Sequence, residues 1–199
     1  MAKKHQVWLF RHGETEWSKN GQHTGRTDVP LTDAGRERAL ALGRHLAGKR
    51  FALVLSSPLV RALDTCKLAG YGDHAKLTDD LLEWDYGDYE GRRTVDIQKE
   101  RPGWLLWNDG VPGGETAEQV GARARQVIER AVAADGDVAL FAHGHILRVL
   151  GACWLELAPV DGQMFALGTA ATCVLGYEHD YRVIQVWNQD SHLVMEHAS

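Results

Sequence analysis

No stretch of this chain is long and apolar enough to cross a bilayer, and its start, Met1-Ala2-Lys3-Lys4-His5-Gln6, lacks the apolar core of a secretory signal. Positive charge is not in excess either. Lys and Arg total 22 against 27 Asp and Glu, a formal net charge of -5, which argues against a general nucleic-acid binder, whose surface is markedly basic. An anionic ligand therefore needs a local cationic pocket. Cysteine is scarce: Cys66, Cys153 and Cys173 are odd in number and lie apart in apolar neighbourhoods, so they read as buried free thiols of a cytoplasmic protein, not as a disulfide framework or a metal site. Internal repeats, low-complexity tracts and linkers are missing as well. With 199 residues, 44% of them hydrophobic, the chain reads as one globular domain over residues 1–199 with a sizeable core.

What is present is an alternation of short apolar runs and amphipathic segments. Residues 7–10, 51–55 and 138–142 are apolar runs of strand length. Leu31-Thr32-Asp33-Ala34-Gly35 supplies a cap for a helix over about 33–47, and Ser57-Pro58 opens another that runs to about Leu68. Thr116 precedes a long amphipathic helix that ends near Ala134-Asp135-Gly136, and a further helix follows residue 145. Short helices are expected over 94–100 and 102–107, and an irregular loop over 71–92. Residues 172–177 and 182–187 suggest an antiparallel hairpin at one edge of the sheet, with an apolar face that suits a homodimer. Strands alternating with helices predict a three-layer α/β/α sandwich with a mostly parallel sheet and an antiparallel edge. The last eight residues are expected to be loosely held.

Three of the strand-like runs end abruptly in chemistry: Arg11-His12-Gly13, Ser57-Pro58-Leu59-Val60-Arg61 and His143-Gly144-His145. Open α/β sheets carry ligands at the carboxyl ends of their strands. If these strands are parallel neighbours, two arginines and two histidines converge there. Arginine forks match phosphoryl oxygens, Gly13 admits close backbone approach, and the helix after Gly144 brings N–H groups and a positive dipole end. His143-Gly144-His145 also has a spacing open to zinc, but no acidic or Cys partner stands at ligand spacing.

These residues resemble the histidine phosphatase superfamily, in its phosphoglycerate mutase-like branch. The signature Arg-His-Gly-Glu stands at 11–14, and the likeness continues through Thr24-Gly25, Leu31 to Gly35, Ser57-Pro58 with Arg61, Glu83 to Gly87, Gly114-Glu115-Thr116 and Ala142-His143-Gly144. Residues 83–91 and 141–148 look similar to the sedoheptulose bisphosphatase branch and its small acid-phosphatase-like members. The resemblance implies that His12 attacks phosphorus to form a phosphohistidine, that Arg11, Arg61 and His143 cradle the phosphoryl oxygens, and that Glu83 serves as the proton donor, with no metal or other cofactor. Ser18, Thr24, Gly25 and His145 are implied substrate contacts.

Some positions depart from the family pattern. Ser18 and His145 stand where Asn is common, and Arg92-Arg93 follow Gly91 where relatives often carry an apolar residue; one of the two is expected to bind a second phosphate or the sugar. The implied activity is metal-independent hydrolysis of small phosphate monoesters, sugar (bis)phosphates above all, with a phosphorylated metabolite as the ligand and neither nucleic acid nor membrane as a partner. A phosphoglycerate mutase is the enzymatic alternative. Its members resemble this chain in the catalytic set but carry an insertion after the Tyr-Gly loop, where the span from Gly87 to Pro112 is short here. A catalytically inactive binding protein of the same fold is the other, and the intact set Arg11, His12, Arg61, Glu83 and His143 argues against it. Of the aromatics and histidines, Trp8 and Trp154 are expected in the core, Trp17, Trp84 and Trp107 at the pocket edge, and His5, His45, His179, His192 and His197 on the surface.

Overall fold

The computed structural model describes residues 4–193. Six strands, β1 (Val7–Arg11), β2 (Leu53–Ser56), β3 (Ala75–Leu77), β4 (Val138–Ala142), β5 (Thr172–Glu178) and β6 (Tyr181–Gln189), form one sheet in the order β3-β2-β4-β1-β5-β6. The first four are parallel, while β5 runs antiparallel to β1 and β6 to β5. Around them lie α1 (Glu16–Asn20), α2 (Asp33–His45), α3 (Val60–Leu68), α4 (Thr94–Glu100), α5 (Leu106–Asp109), α6 (Ala117–Val132) and α7 (Gly144–Trp154). Alternate side chains of the central strands enter two cores. Val7, Leu9, Val138, Leu140 and Ala142 pack with α6 and α7, whereas Phe10, Ala139 and Phe141 pack with Leu42 of α2 and Cys66 of α3. Both faces of the sheet are therefore covered, the condition under which parallel strands become uninterrupted apolar runs. The three-layer α/β/α sandwich with an antiparallel edge is the expected one.

The chain connects β1 to β2 across the position of β4, and returns from β3 to β4 across β2. The carboxyl ends of β1, β4 and β2 thus lie side by side at a switch in strand order, where the sheet opens a crevice. Several local expectations are corrected. α3 begins at Val60, past Pro58, because Asp28 Oδ1 accepts the Val60 N–H at 2.7 Å and does the capping expected of Ser57. The helix expected over 102–107 is α5, Leu106–Asp109, since Gly103 adopts a positive φ of 79°. The edge strand β3 and the short helix α1, closed by a Thr15–Ser18 capping box, carry no apolar periodicity and were not foreseen. The hairpin turns on two residues, with His179 at φ 50°, so both its strands are longer than expected. Trp8 is only half-buried, Trp154 is core, and His192 is buried, its Nε2 against the Ala170 carbonyl at 3.0 Å. His5 is half-buried as well, Nε2 against Ala131 O. The loosely held tail and His197 fall largely outside the described residues.

Candidate active site

The Arg11-His12-Gly13 turn is placed by the sheet itself. His12 N–H extends the ladder to Ala142 O at 3.0 Å, and Arg11 N–H reaches Ala171 O. Gly13 is required, but for a different reason than expected. A Cβ there would lie 2.3 Å from the Gly35 carbonyl oxygen, and one on Gly35 would lie 2.1 Å from Glu14 O, so the close approach is to α2, not to a ligand. The His12 ring is buried, and its Nδ1–H donates to Gly13 O at 2.7 Å. That bond leaves the Nε2 lone pair unprotonated. Burial first, then the Arg11 and Arg61 charges, hold the His12 pKa well below the usual histidine range. The imidazole is neutral and nucleophilic at neutral pH.

Arg11, His12 and Glu83 line one cavity of about 190 Å³. Arg11 Nη1 donates to Leu167 O, while its buried Nε has no partner among the described residues, a donor held ready for an acceptor. Arg61 and His143 are fully buried behind that wall. Arg61 Nε donates to His143 Nδ1 at 3.0 Å, and its Nη atoms donate to the carbonyls of Thr27, Thr24 and Gly25. His143 must then carry its proton on Nε2, which donates to Ser57 Oγ at 2.8 Å. Its ring centroid is 5.2 Å from that of His12. Burial, Arg61 and His12 keep His143 neutral.

Glu83 occupies the start of α7. Its carboxylate accepts the N–H groups of His145 and Ile146 at 3.0 Å each and that of Trp84 at 2.9 Å. The anion position expected at this helix N-terminus is therefore filled from within, and the negative charge is steadied there by the helix dipole. The charges of Arg11, Arg61 and Arg148 all interact with this one carboxylate.

The substrate-contact residues divide. Ser18, Thr24 and His145 line the cavity, although the Ser18 hydroxyl also caps α1. Gly25 does not line it; its carbonyl holds Arg61 and its N–H meets Glu90. Arg92 and Arg93 sit outside it in a separate depression, paired with Glu100 and Asp96 at 2.6 Å each. Trp84 is fully buried, Trp17 packs on Gly91, and Trp107 backs the wall at 5.3 Å from the His145 ring. The Tyr86 hydroxyl and His145 Nδ1 share a hydrogen bond at 2.6 Å, and burial keeps the His145 ring neutral. Residues passed over in the sequence also line the cavity: Gln22, His23, Tyr86, Arg148 and Leu167. Burial pushes His23 down to about 4. The signal that was available for Arg148 is its position one helical turn beyond His145 on a helix that starts at the site.

Three comparisons bear on this geometry. The chain is 40% identical over 195 residues to an acid phosphatase of Mycobacterium tuberculosis, covering 96% of each, and 37% identical over 182 residues to sedoheptulose 1,7-bisphosphatase of Saccharomyces cerevisiae, covering 75% of this chain and 67% of the relative. The solved structure of the Mycobacterium tuberculosis open reading frame Rv3214 superposes with a TM-score of 0.88 at 40% identity, over 94% of this chain and 98% of that one. The family profile described as histidine phosphatase superfamily (branch 1) matches residues 7–190, and the chain, a phosphatase by this profile and its curated relatives, belongs to that family.

Proposed function

We propose that the protein hydrolyses small phosphate monoesters through a phosphohistidine on His12, and that its substrates are sugar phosphates with a second anionic group. The observation that carries this reading is the neutral His12, its Nε2 lone pair free, beside Arg11 with an unpartnered buried Nε. Nε2 attacks phosphorus in line with the ester oxygen. Arg11 receives the charge that spreads over the equatorial oxygens, while Arg61 holds His143, whose Nε2–H is given to Ser57 Oγ, beside the His12 ring. In this reading Glu83 passes a proton to the departing alkoxide as the P–O bond breaks. It then takes a proton from the water that cleaves the phosphohistidine, and phosphate leaves.

The substrate class rests on Arg148. It lines the cavity and stacks over Trp107 at 4.7 Å. Nε and Nη2 hold Gly162 O and Gln163 O at 3.1 Å, and Nη1 has no hydrogen bond to a described residue. This cation, beside Gln22 and the neutral His145 ring, suits a hydroxylated leaving group that ends in phosphate or carboxylate. It is better placed for that role than Arg92 or Arg93. The test is to incubate the protein without added metal with sugar monophosphates, sugar bisphosphates and 3-phosphoglycerate, and to follow both free phosphate and isomerised product. Phosphate release that falls at least about 10³-fold in His12→Ala is expected. Release that survives the substitution overturns the mechanism, and exclusive isomerisation overturns hydrolysis in favour of a mutase.

A further inference from the structure

The peptide that carries Glu83 is tied on both sides to one ion pair outside the cavity. Arg123 of α6 grips Glu115 with a two-pronged contact, Nε to Oε1 and Nη2 to Oε2, both at 2.8 Å. The same guanidinium donates through Nη1 to the carbonyls of Asp80 and Leu82 at 2.9 Å, just before Glu83. Glu115 takes the other side. Its Oε2 accepts the Asp85 N–H at 2.9 Å and its backbone carbonyl accepts the Trp84 indole N–H at 2.8 Å. Both side chains are 17% exposed, so the contacts are shielded from competing water, and the fork geometry makes them directional as well as strong.

We propose that the Arg123–Glu115 pair is the positioning device for Glu83, fixing its Cα so that the carboxyl group meets the leaving oxygen; this rests on the reading of Glu83 as the proton donor. The backbone contacts of Glu83 with α7 hold its oxygens but not the strand of chain that delivers them. Lysine at 123 keeps the charge and loses the fork. A shift of even a fraction of an ångström then affects the proton transfer more than phosphoryl binding, which depends on other elements. A role confined to holding the fold together weakens every substrate alike.

The leaving group separates the two. An alkoxide needs the proton from Glu83 to depart, whereas p-nitrophenolate leaves without it. kcat/KM, which reports the step up to the phosphohistidine, is measured for glycerol 2-phosphate and for p-nitrophenyl phosphate in the wild type, Arg123→Lys, Glu115→Gln and Glu83→Gln, with the unfolding midpoint of each. The expected result is a fall of roughly 10-fold or more on glycerol 2-phosphate with less than about 3-fold on p-nitrophenyl phosphate in Arg123→Lys, the same pattern in weaker form in Glu115→Gln, and the strongest form in Glu83→Gln. Equal losses on both substrates in Arg123→Lys and Glu115→Gln, with the selective loss kept in Glu83→Gln, overturn the positioning role alone. A Glu83→Gln variant without selectivity overturns the proton-donor reading and the positioning role with it.

Discussion

In the proposed reading Arg148 is the side chain that separates one phosphate ester from another. Arg11 and His12 face any phosphoryl group in the same way, so they do not discriminate among esters. Arg148 lines the same cavity from α7, with Nε and Nη2 bonded to Gly162 O and Gln163 O. A charge-assisted hydrogen bond of this kind contributes about 1.5–3 kcal/mol. Arg148→Met keeps the aliphatic contact with Trp107 and is expected to lower kcat/KM for sugar bisphosphates roughly 10- to 100-fold, mainly through KM, while p-nitrophenyl phosphate is little affected. Steady-state kinetics on the two substrates checks it, and a matching loss on both removes Arg148 from the specificity argument. The substitution of Arg92 or Arg93, outside the cavity, is the control.

At the scale of elements, the strand ends were legible because burial on both faces turns a parallel strand into a continuous apolar run, and the break from apolar to Arg-His-Gly or His-Gly-His is abrupt. β1, β4 and α6 were readable for that reason, the last also through its Thr116 cap. β3 was not, since an edge strand of three residues with exposed Lys76 and Leu77 has no pattern to show. Arg61 was singled out by its strand end, whereas Glu83 was singled out only through resemblance. That Arg61 is bonded to His143, and that Glu83 fills the start of α7, depend on contacts over 82 and 62 positions of sequence separation, which spacing does not encode. Gly13 was legible as a requirement but not in its cause. The Gly13–Gly35 contact fixes α2 against the turn that aims His12, so Gly13→Ala forces backbone apart at a site with no flexible neighbour. A loss of about 1–3 kcal/mol in stability is expected from overpacking, with activity reduced beyond the unfolded fraction because His12 moves. Urea unfolding with parallel kinetics measures both, and an alanine variant of wild-type stability refutes the account.

Across the whole molecule, the site leaves a mark on stability that does not depend on any substrate. His12, His143 and His145 have pKa values held well below the usual histidine range, each by burial first, and His23 lies at about 4. In the unfolded chain these rings titrate near the ordinary value of about 6.5. Below that pH the unfolded state binds protons that the folded state refuses, so stability falls as pH drops, and above it the four groups contribute no slope. Each ring adds up to about 1.4 kcal/mol per pH unit within its window, which for His23 closes near 4 and for the other three extends lower than the usual range. Four rings acting together outweigh a single surface ion pair, worth about 0–1 kcal/mol. The midpoint of urea unfolding is therefore expected to be flat from pH 8 to 7 and to fall steeply from pH 6 to 5. Inorganic phosphate, bound by Arg11 in the cavity, should raise stability at every pH by mass action. Replacing the two rings with the fewest catalytic duties, His23→Gln and His145→Gln, should flatten the acid side of the profile. A double variant with the wild-type acid slope shows that the proton linkage resides elsewhere in the protein.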